Sequence, residues 1–527
     1  MFAQAGELSM GARTDLVALL EPIVHPVMVR RGLFHPKVWF LEYSAGDRRT
    51  YRFVCGSRNL TADRSWDAVV RLDGDVPNEP SQADAETNAP LVRLLGALPT
   101  WSVQPIDTAR VERIEALAER WATVRWECPA GVRDLRFHSL GLPGSTPPDI
   151  RGQRTLIASP FVSDDGLRML RGGTRSDTHL ISRPETLDRL APESLDPRVH
   201  TYVLDDAASL RDEAGATGPH PRDLLTGLHA KLIVSDHAHS SRVLLGSANA
   251  TDAALRRNIE VMVELTGPLS KFGVEETLQS LGSLIESYES AGGAEPEPTE
   301  EAQRRLEGYL RGLAATRLSV RMREGDPWTL EVLAAASGEQ RGEAPDDFDL
   351  RWHLLTRPDL GGRGMPGTAD QPHRIESIAL ADITPFVVLV ARDAEGNERQ
   401  TIALAELIDD VPTRRDAVIA RQLTDRAAFV RLLMLLLELS GRELIAASGR
   451  GAAFFGTAAA GTEGTGLFES LVRAVGSGHS GLADVRRIVD YLSDSVEGPN
   501  VLPDGFADLW GAVWAAHVSL TGMGVES

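Results

Sequence analysis

A chain of 527 residues, 42% apolar and 25% charged, holds ample material for several packed cores and is no disordered tail or linker protein. Its net charge of −20 excludes coating nucleic acid or membrane by bulk electrostatics, which needs many cationic contacts to phosphate, so any phosphate chemistry must be local. Cys55 and Cys128 are too few for a disulfide framework, "MFAQAGELSMGARTD" carries no charged-then-apolar leader, and the most apolar run, "FVRLLMLLLELSG", is interrupted by Arg431 and Glu438; a reducing cytoplasm and no membrane partner are expected.

In chain order, "TDLVALLE" reads as a helix, and "IVHPVMVRR", "HPKVWFLEY", "TYRFVCGS" and "WDAVVRL" read as strands. Residues 75–90, "DVPNEPSQADAETNAP", read as a solvated loop. From Thr155 the pattern is fuller. "TLIASPFVS" is a strand, "DDGLRMLRGG" a helix with an acidic start and a glycine stop, and "THLIS", "VHTYVLDD", "HAKLIVS", "SRVLLGS" and "NIEVMVEL" are further strands of a mixed α/β lobe. The first lobe shows only the later part of this plan, so its opening strand and helix are replaced or missing. An acidic, proline-bearing linker, "AGGAEPEPTEE", follows. Beyond it, "RLSVRMRE", "WTLEVLAAA", "FDLRWHLL", "PFVVLVARD" and "RQTIALAEL" alternate as strands do. The remainder is apolar at helical spacing in "RDAVIARQL", "RAAFVRLLMLLLELSG", "GLFESLVRAV", "LADVRRIVDYL" and "FADLWGAVWAAHVSL", a packing pattern with no catalytic group in it. The expected domains are 1–150, a short first lobe; 151–290, a second lobe; 302–410, β-rich with a leading helix; and 411–527, helical.

Lysine is the anomaly. Only three of the 55 basic residues are lysines, and two of them, Lys37 and Lys231, stand two places after a histidine. The composition predicts roughly 0.07 such triplets by chance, which lowers the usual false-positive risk of a short motif. Each triplet has the same sequel: "HPK" leads to "GSRN" and "HAK" to "GSAN". In a strand, alternate side chains share a face, so His35 with Lys37, Ser57 with Asn59, His229 with Lys231 and Ser247 with Asn249 each point one way. Two such sets facing each other make a poor metal cage but a good cradle for a phosphodiester anion, so no metal or other cofactor is expected. Lysine suits that cradle because a compact ammonium settles on a non-bridging oxygen in a geometry the forked guanidinium does not reproduce. The other histidines read as structural, and His237 and His239 as exposed in a polar turn.

Two copies of His-x-Lys followed by Gly-Ser-x-Asn resemble the phospholipase D superfamily over about residues 15–270. The second copy matches closely: His229, Lys231, Asp236, Gly246, Ser247 and Asn249, then Glu260, where related bacterial endonucleases carry a functional glutamate. The first departs from the pattern, with Glu42 at the Asp position and Asp67 only eight residues after Asn59. The resemblance implies two phospholipase D-like lobes and a site of His35, Lys37, Asn59, His229, Lys231, Asn249 and Glu260, supported by Ser57, Asp67, Ser247, Asp236 and Glu42. It implies attack on phosphorus by one imidazole, taken as that of His35, and protonation of the leaving oxygen by the other, with Glu260 or Asp67 orienting a ring. The motif wording is similar to that of phospholipase D-like proteins of bacterial restriction and antiphage systems. That implies nucleic acid, DNA before RNA, as substrate, and a helicase or other defence subunit as partner, with oligomers left open. The alternatives are a lipid or other phosphodiester substrate and a degenerate phosphate-binding assembly module. A basic groove leading to both histidines favours nucleic acid, a wide apolar pocket favours lipid, and lysines turned apart favour the noncatalytic reading.

Overall fold

The computed structural model describes the chain outside residues 9–19, 47, 60–64, 146, 151, 172–176, 206–226, 336–347, 424, 440–466, 477–480, 495–500, 504 and 522–527. The helix expected at "TDLVALLE" lies almost wholly outside the described residues. The architecture is α/β, with mixed sheets flanked by helices.

Strands β1 (Phe2–Gln4) and β2 (His25–Val27) pair in parallel, and the buried Gln4 side chain accepts from the Phe34 amide at 2.7 Å, tethering the segment that enters the first motif. Strands β3 (Val38–Ala45), β4 (Arg48–Gly56), β5 (Val69–Asp75) and β6 (Arg125–Trp126) form a four-stranded sheet in that order. Period-two alternation sets its faces: Tyr51, Phe53 and Cys55 of β4 are buried between less buried neighbours. The expected loop at 75–90 is in fact shorter, because a helix spans Gln82–Trp101. Its start is marked by a capping box in which the Ser81 hydroxyl accepts from the Asp84 amide and the Asp84 carboxylate accepts from the Ser81 amide. A second helix, Thr108–Trp121, is capped by Asp107.

The second sheet has eight strands, in the order β14, β10, β9, β8, β11, β12, β13, β7. These are β7 (Asp134–Leu140), β8 (Arg154–Ala158), β9 (Thr178–Ile181), β10 (Val199–Leu204), β11 (Leu232–Asp236), β12 (Ser241–Gly246), β13 (Glu260–Gly267) and β14 (Ile285–Ser287). Strand β7, on the first-lobe side of residue 150, pairs along its whole length with β13 and is the edge of this sheet. One face packs on the helix Asp164–Arg171 through Ile157, Ile233, Leu244 and Met262. The other meets the helix Val274–Leu281 through Leu156 and Val234 and the first sheet through Val261 and Val263. Phe53, Trp121, Trp126 and Phe137 interlock there, with the Phe53 and Phe137 rings 5.2 Å apart edge to face. Each such ring, fully buried, contributes on the order of 1.5–3 kcal/mol by leaving water, so both sheets share one core.

After the helix Pro298–Ala314 come β15 (Leu318–Arg323), β16 (Trp328–Ala334), β17 (Asp349–Leu354), β18 (Arg357–Arg363), β19 (His373–Ile378), β20 (Phe386–Arg392), β21 (Glu398–Leu404) and β22 (Glu406–Ile408), in two four-stranded sheets. Strands β18 and β19 carry too little apolar alternation to announce themselves. Gln104 donates to the Leu318 and Leu404 carbonyls at 3.0 and 2.9 Å, tying this unit to the first. The C-terminal helices Thr413–Gln422, Arg426–Leu439, Leu467–Gly476, Gly481–Asp494 and Phe506–Thr521 bury their apolar stripes against one another, and each coincides with a periodic run of the sequence. Among the described residues no helix is long and apolar enough to cross a membrane.

Candidate active site

Both His-x-Lys segments lie in extended chain just before a strand, β3 or β11, and each crosses to the opposite sheet. Phe34 bridges Ile259 and Leu228 bridges Trp66, both in parallel sense. The His35 amide donates to the Ile259 carbonyl at 2.9 Å, and the His229 amide to the Trp66 carbonyl at 2.8 Å. The two serines repeat the relation: the Ser57 hydroxyl accepts from the Ala68 amide at 2.8 Å, the Ser247 hydroxyl from the Val261 amide at 3.0 Å. An approximate two-fold therefore relates the halves, and it makes Asp67 the positional counterpart of Glu260.

The first half-site is tightly organised. His35 Nδ1 donates to the Glu260 carboxylate, at 2.9 Å from Oε1 and 3.1 Å from Oε2, which leaves Nε2 facing the Lys37 ammonium at 2.7 Å. Lys37 also donates to the His35 carbonyl at 3.0 Å. Glu260 is completely buried, and it accepts from the Ser247 hydroxyl and, at 3.4 Å, from the Asn258 amide. Asn258 in turn accepts from the Leu33 amide at 3.0 Å, closing the clasp between the halves. Burial pushes the Lys37 ammonium down to about 8, against the pull of the Glu260 carboxylate.

The second half-site shares the plan but not the contacts. Lys231 donates to the His229 carbonyl at 3.0 Å and lies 3.3 Å from His229 Nδ1, so this ring shows its ammonium the opposite nitrogen. Asp67 pairs with Arg58, 3.6 Å away. Burial, and after it the Lys37 charge, lower Lys231 to about 7, which sets both ammonium groups within one field. Burial and the Lys231 charge lower His229 too. Asn249 is half-buried, and its enclosed Oδ1 accepts no hydrogen bond among the described residues. Asn59 is exposed beside the undescribed residues 60–64.

Glu42 and Asp236 lie apart from this cluster: Glu42 pairs with Arg120 at 2.6 Å, and Asp236 pairs with Arg154 and accepts from the Val274 amide at 3.0 Å. His239 is exposed, whereas His237 is half-buried. The structure adds Asn258, Arg58, Arg183 and Phe161 to the site's surroundings. Asn258 and Arg58 had a signal, standing two residues before Glu260 and inside the first Gly-Ser-x-Asn; Arg183 and Phe161 had none.

No family model and no curated protein matches the chain. Among solved structures it is similar to a phosphatidylserine synthase of Haemophilus influenzae Rd KW20, at 13% identity and a TM-score of 0.29, over 56% of this chain and 73% of that one.

Proposed function

We propose that this chain is a metal-independent phosphodiesterase of phospholipase D type that cleaves nucleic acid, DNA first, through a phosphohistidine. The observation that carries the reading is the reciprocal crossing, Phe34 to Ile259 and Leu228 to Trp66, which with the Lys37 charge acting on Lys231 supports one site built from both His-x-Lys copies. His35 has the nucleophile's setting: Glu260 holds Nδ1–H and its negative charge offsets the positive charge that develops on the ring as Nε2 bonds to phosphorus. His229 donates a proton to the departing oxygen as the P–O bond breaks. The same ring then takes a proton from water, which attacks phosphorus and breaks the P–N bond, restoring both histidines. In this reading Lys37, Lys231 and Asn249 hold the non-bridging oxygens, and the lysines supply charge that a metal supplies elsewhere.

Nucleic acid is favoured by the rim. Exposed Arg30 and Arg31 precede His35, and Gly32 packs on the Arg257 backbone, which brings Arg256 and Arg257 alongside. Arg256 and Arg257 share one carboxylate, Asp252, at 3.7 and 3.2 Å, so the four arginines keep a local basic excess in a chain of net charge −20, which suits a phosphate backbone. An apolar cavity of about 70 Å³ is lined by residues such as Ile150, Met169 and Leu255 and by neither histidine. The motif wording further suggests a bacterial defence setting with a helicase or similar partner.

The test is single-turnover cleavage of single- and double-stranded DNA in EDTA by the wild type, His35→Ala, His229→Ala and Lys231→Arg. The expected result is cleavage by wild type, none by either histidine variant, and a loss of ~10²- to 10³-fold in Lys231→Arg. Retained cleavage in a histidine variant overturns the mechanism, and hydrolysis of phospholipid vesicles with DNA left intact overturns the substrate.

A further inference from the structure

We infer that Phe161 and Arg183 form a base-stacking subsite at the rim of the second half-site, which seats the nucleobase beside the scissile phosphate and directs the enzyme to unpaired nucleotides. The inference rests on the nuclease reading and names the substrate form that the site takes.

Phe161 is 50% exposed although the loop that carries it is held by hydrogen bonds at Ser159 and Ser163. The Arg183 guanidinium stacks over its ring, 5.1 Å from the centroid. Arg183 is anchored in turn: its Nε and one terminal nitrogen donate to the Leu228 carbonyl at 3.2 and 3.1 Å, one residue before His229. On the other side the Phe161 loop is stitched to the strand end that carries Asn249. Val162 bridges Ala250, the Ser163 amide donates to the Ala250 carbonyl at 3.1 Å, and the Ala250 amide donates to the Ser159 hydroxyl at 3.0 Å. That hydroxyl donates to the Phe161 carbonyl at 2.7 Å. The aromatic ring is thus held from both sides by the chain neighbours of His229 and Asn249, two groups assigned to the phosphate.

A single exposed phenylalanine is ordinary on a protein surface. This one is fixed by backbone bonds on both flanks, carries an arginine as its stacking partner, and stands next to the second half-site, where the Arg183 charge acts on His229 and Lys231. A planar ring and guanidinium beside such a site suit a nucleobase, which offers a π-face whatever its sequence. A base inside a duplex has its faces covered by its neighbours, so access requires a single strand or an extruded nucleotide. A choline, ethanolamine or glycerol headgroup has no planar ring to place there.

The experiment compares wild type, Phe161→Ala, Phe161→Leu and Phe161→Trp on a single-stranded DNA oligonucleotide and on the same oligonucleotide with an abasic residue beside the cleaved phosphate. The expected loss in kcat/KM for Phe161→Ala on the normal strand is roughly ten- to a hundred-fold, with Phe161→Leu impaired and Phe161→Trp active. On the abasic strand the gap between wild type and Phe161→Ala closes. Equal cleavage of the normal strand by wild type, Phe161→Ala and Phe161→Leu overturns the subsite alone, as does an equal loss on both strands, which marks a structural role. A wild type that hydrolyses phospholipid and cleaves neither oligonucleotide overturns the nuclease reading, and the subsite with it.

Discussion

Lys231 sets function against stability at a single residue. Its side chain is 1% exposed and burial brings its ammonium down to about 7, so the fold carries a cation it would shed most easily. The sign follows from proton counting. Between about 7 and the ordinary lysine value of 10.5 the unfolded chain holds a proton that the native site has released, so stability rises with pH across that window, and the cost of burial is largest below it. Lys231→Met should therefore raise Tm relative to wild type, most at pH 6 and progressively less toward pH 10, while abolishing cleavage. Calorimetry on both proteins across that range checks it; a variant less stable than wild type at pH 6 would contradict it. The two histidines are unequal in the same sense: His35 touches a buried carboxylate, whereas the shorter counterpart Asp67 is engaged by Arg58.

Between elements, the clasp at Asn258 depends on two glycines. Gly32, at φ +71°, and Gly141, at φ +73°, press against the Arg257 and Asn258 carbonyls, and a Cβ at either would overlap them. Gly32→Ala should cost about 1–3 kcal/mol through the left-handed backbone alone, and it should slow cleavage by moving His35 off Glu260. Denaturant unfolding and single-turnover rates measure the two effects; an alanine variant as stable and as fast as wild type would refute the clasp. The first and second sheets also differ at matching edges. Strand β11 is covered by β8, whereas β3 has no neighbour on its outer side among the described residues and leaves Trp39 and Tyr43 about half exposed. Strong period-two runs such as "TYRFVCGS" were legible from residue order alone, because burial on one face imposes alternation. The helix Gln82–Trp101 was not, because its polar first turn and internal prolines resemble a loop until the Ser81–Asp84 box is noticed.

For the molecule as a whole, the proposed site takes all its groups from one chain, through the reciprocal crossing of Phe34 to Ile259 and Leu228 to Trp66. Mixing His35→Ala with His229→Ala should then restore no cleavage, even after joint refolding; recovered activity would mean that halves exchange between chains. The sequence by itself determined which residue types recur, how His and Lys share a face by strand periodicity, and which runs are core. It left open which carboxylate meets which histidine. Glu260 belongs to the second copy in sequence yet holds His35 of the first, because Ile259 pairs with Phe34 across the two sheets. Likewise Phe161 and Arg183 lie 68 and 46 residues before His229 and carry no motif. Only the tertiary structure could decide these partners, since local periodicity specifies the face a side chain occupies, whereas the contact it makes is set by which distant backbones the shared aromatic core brings together.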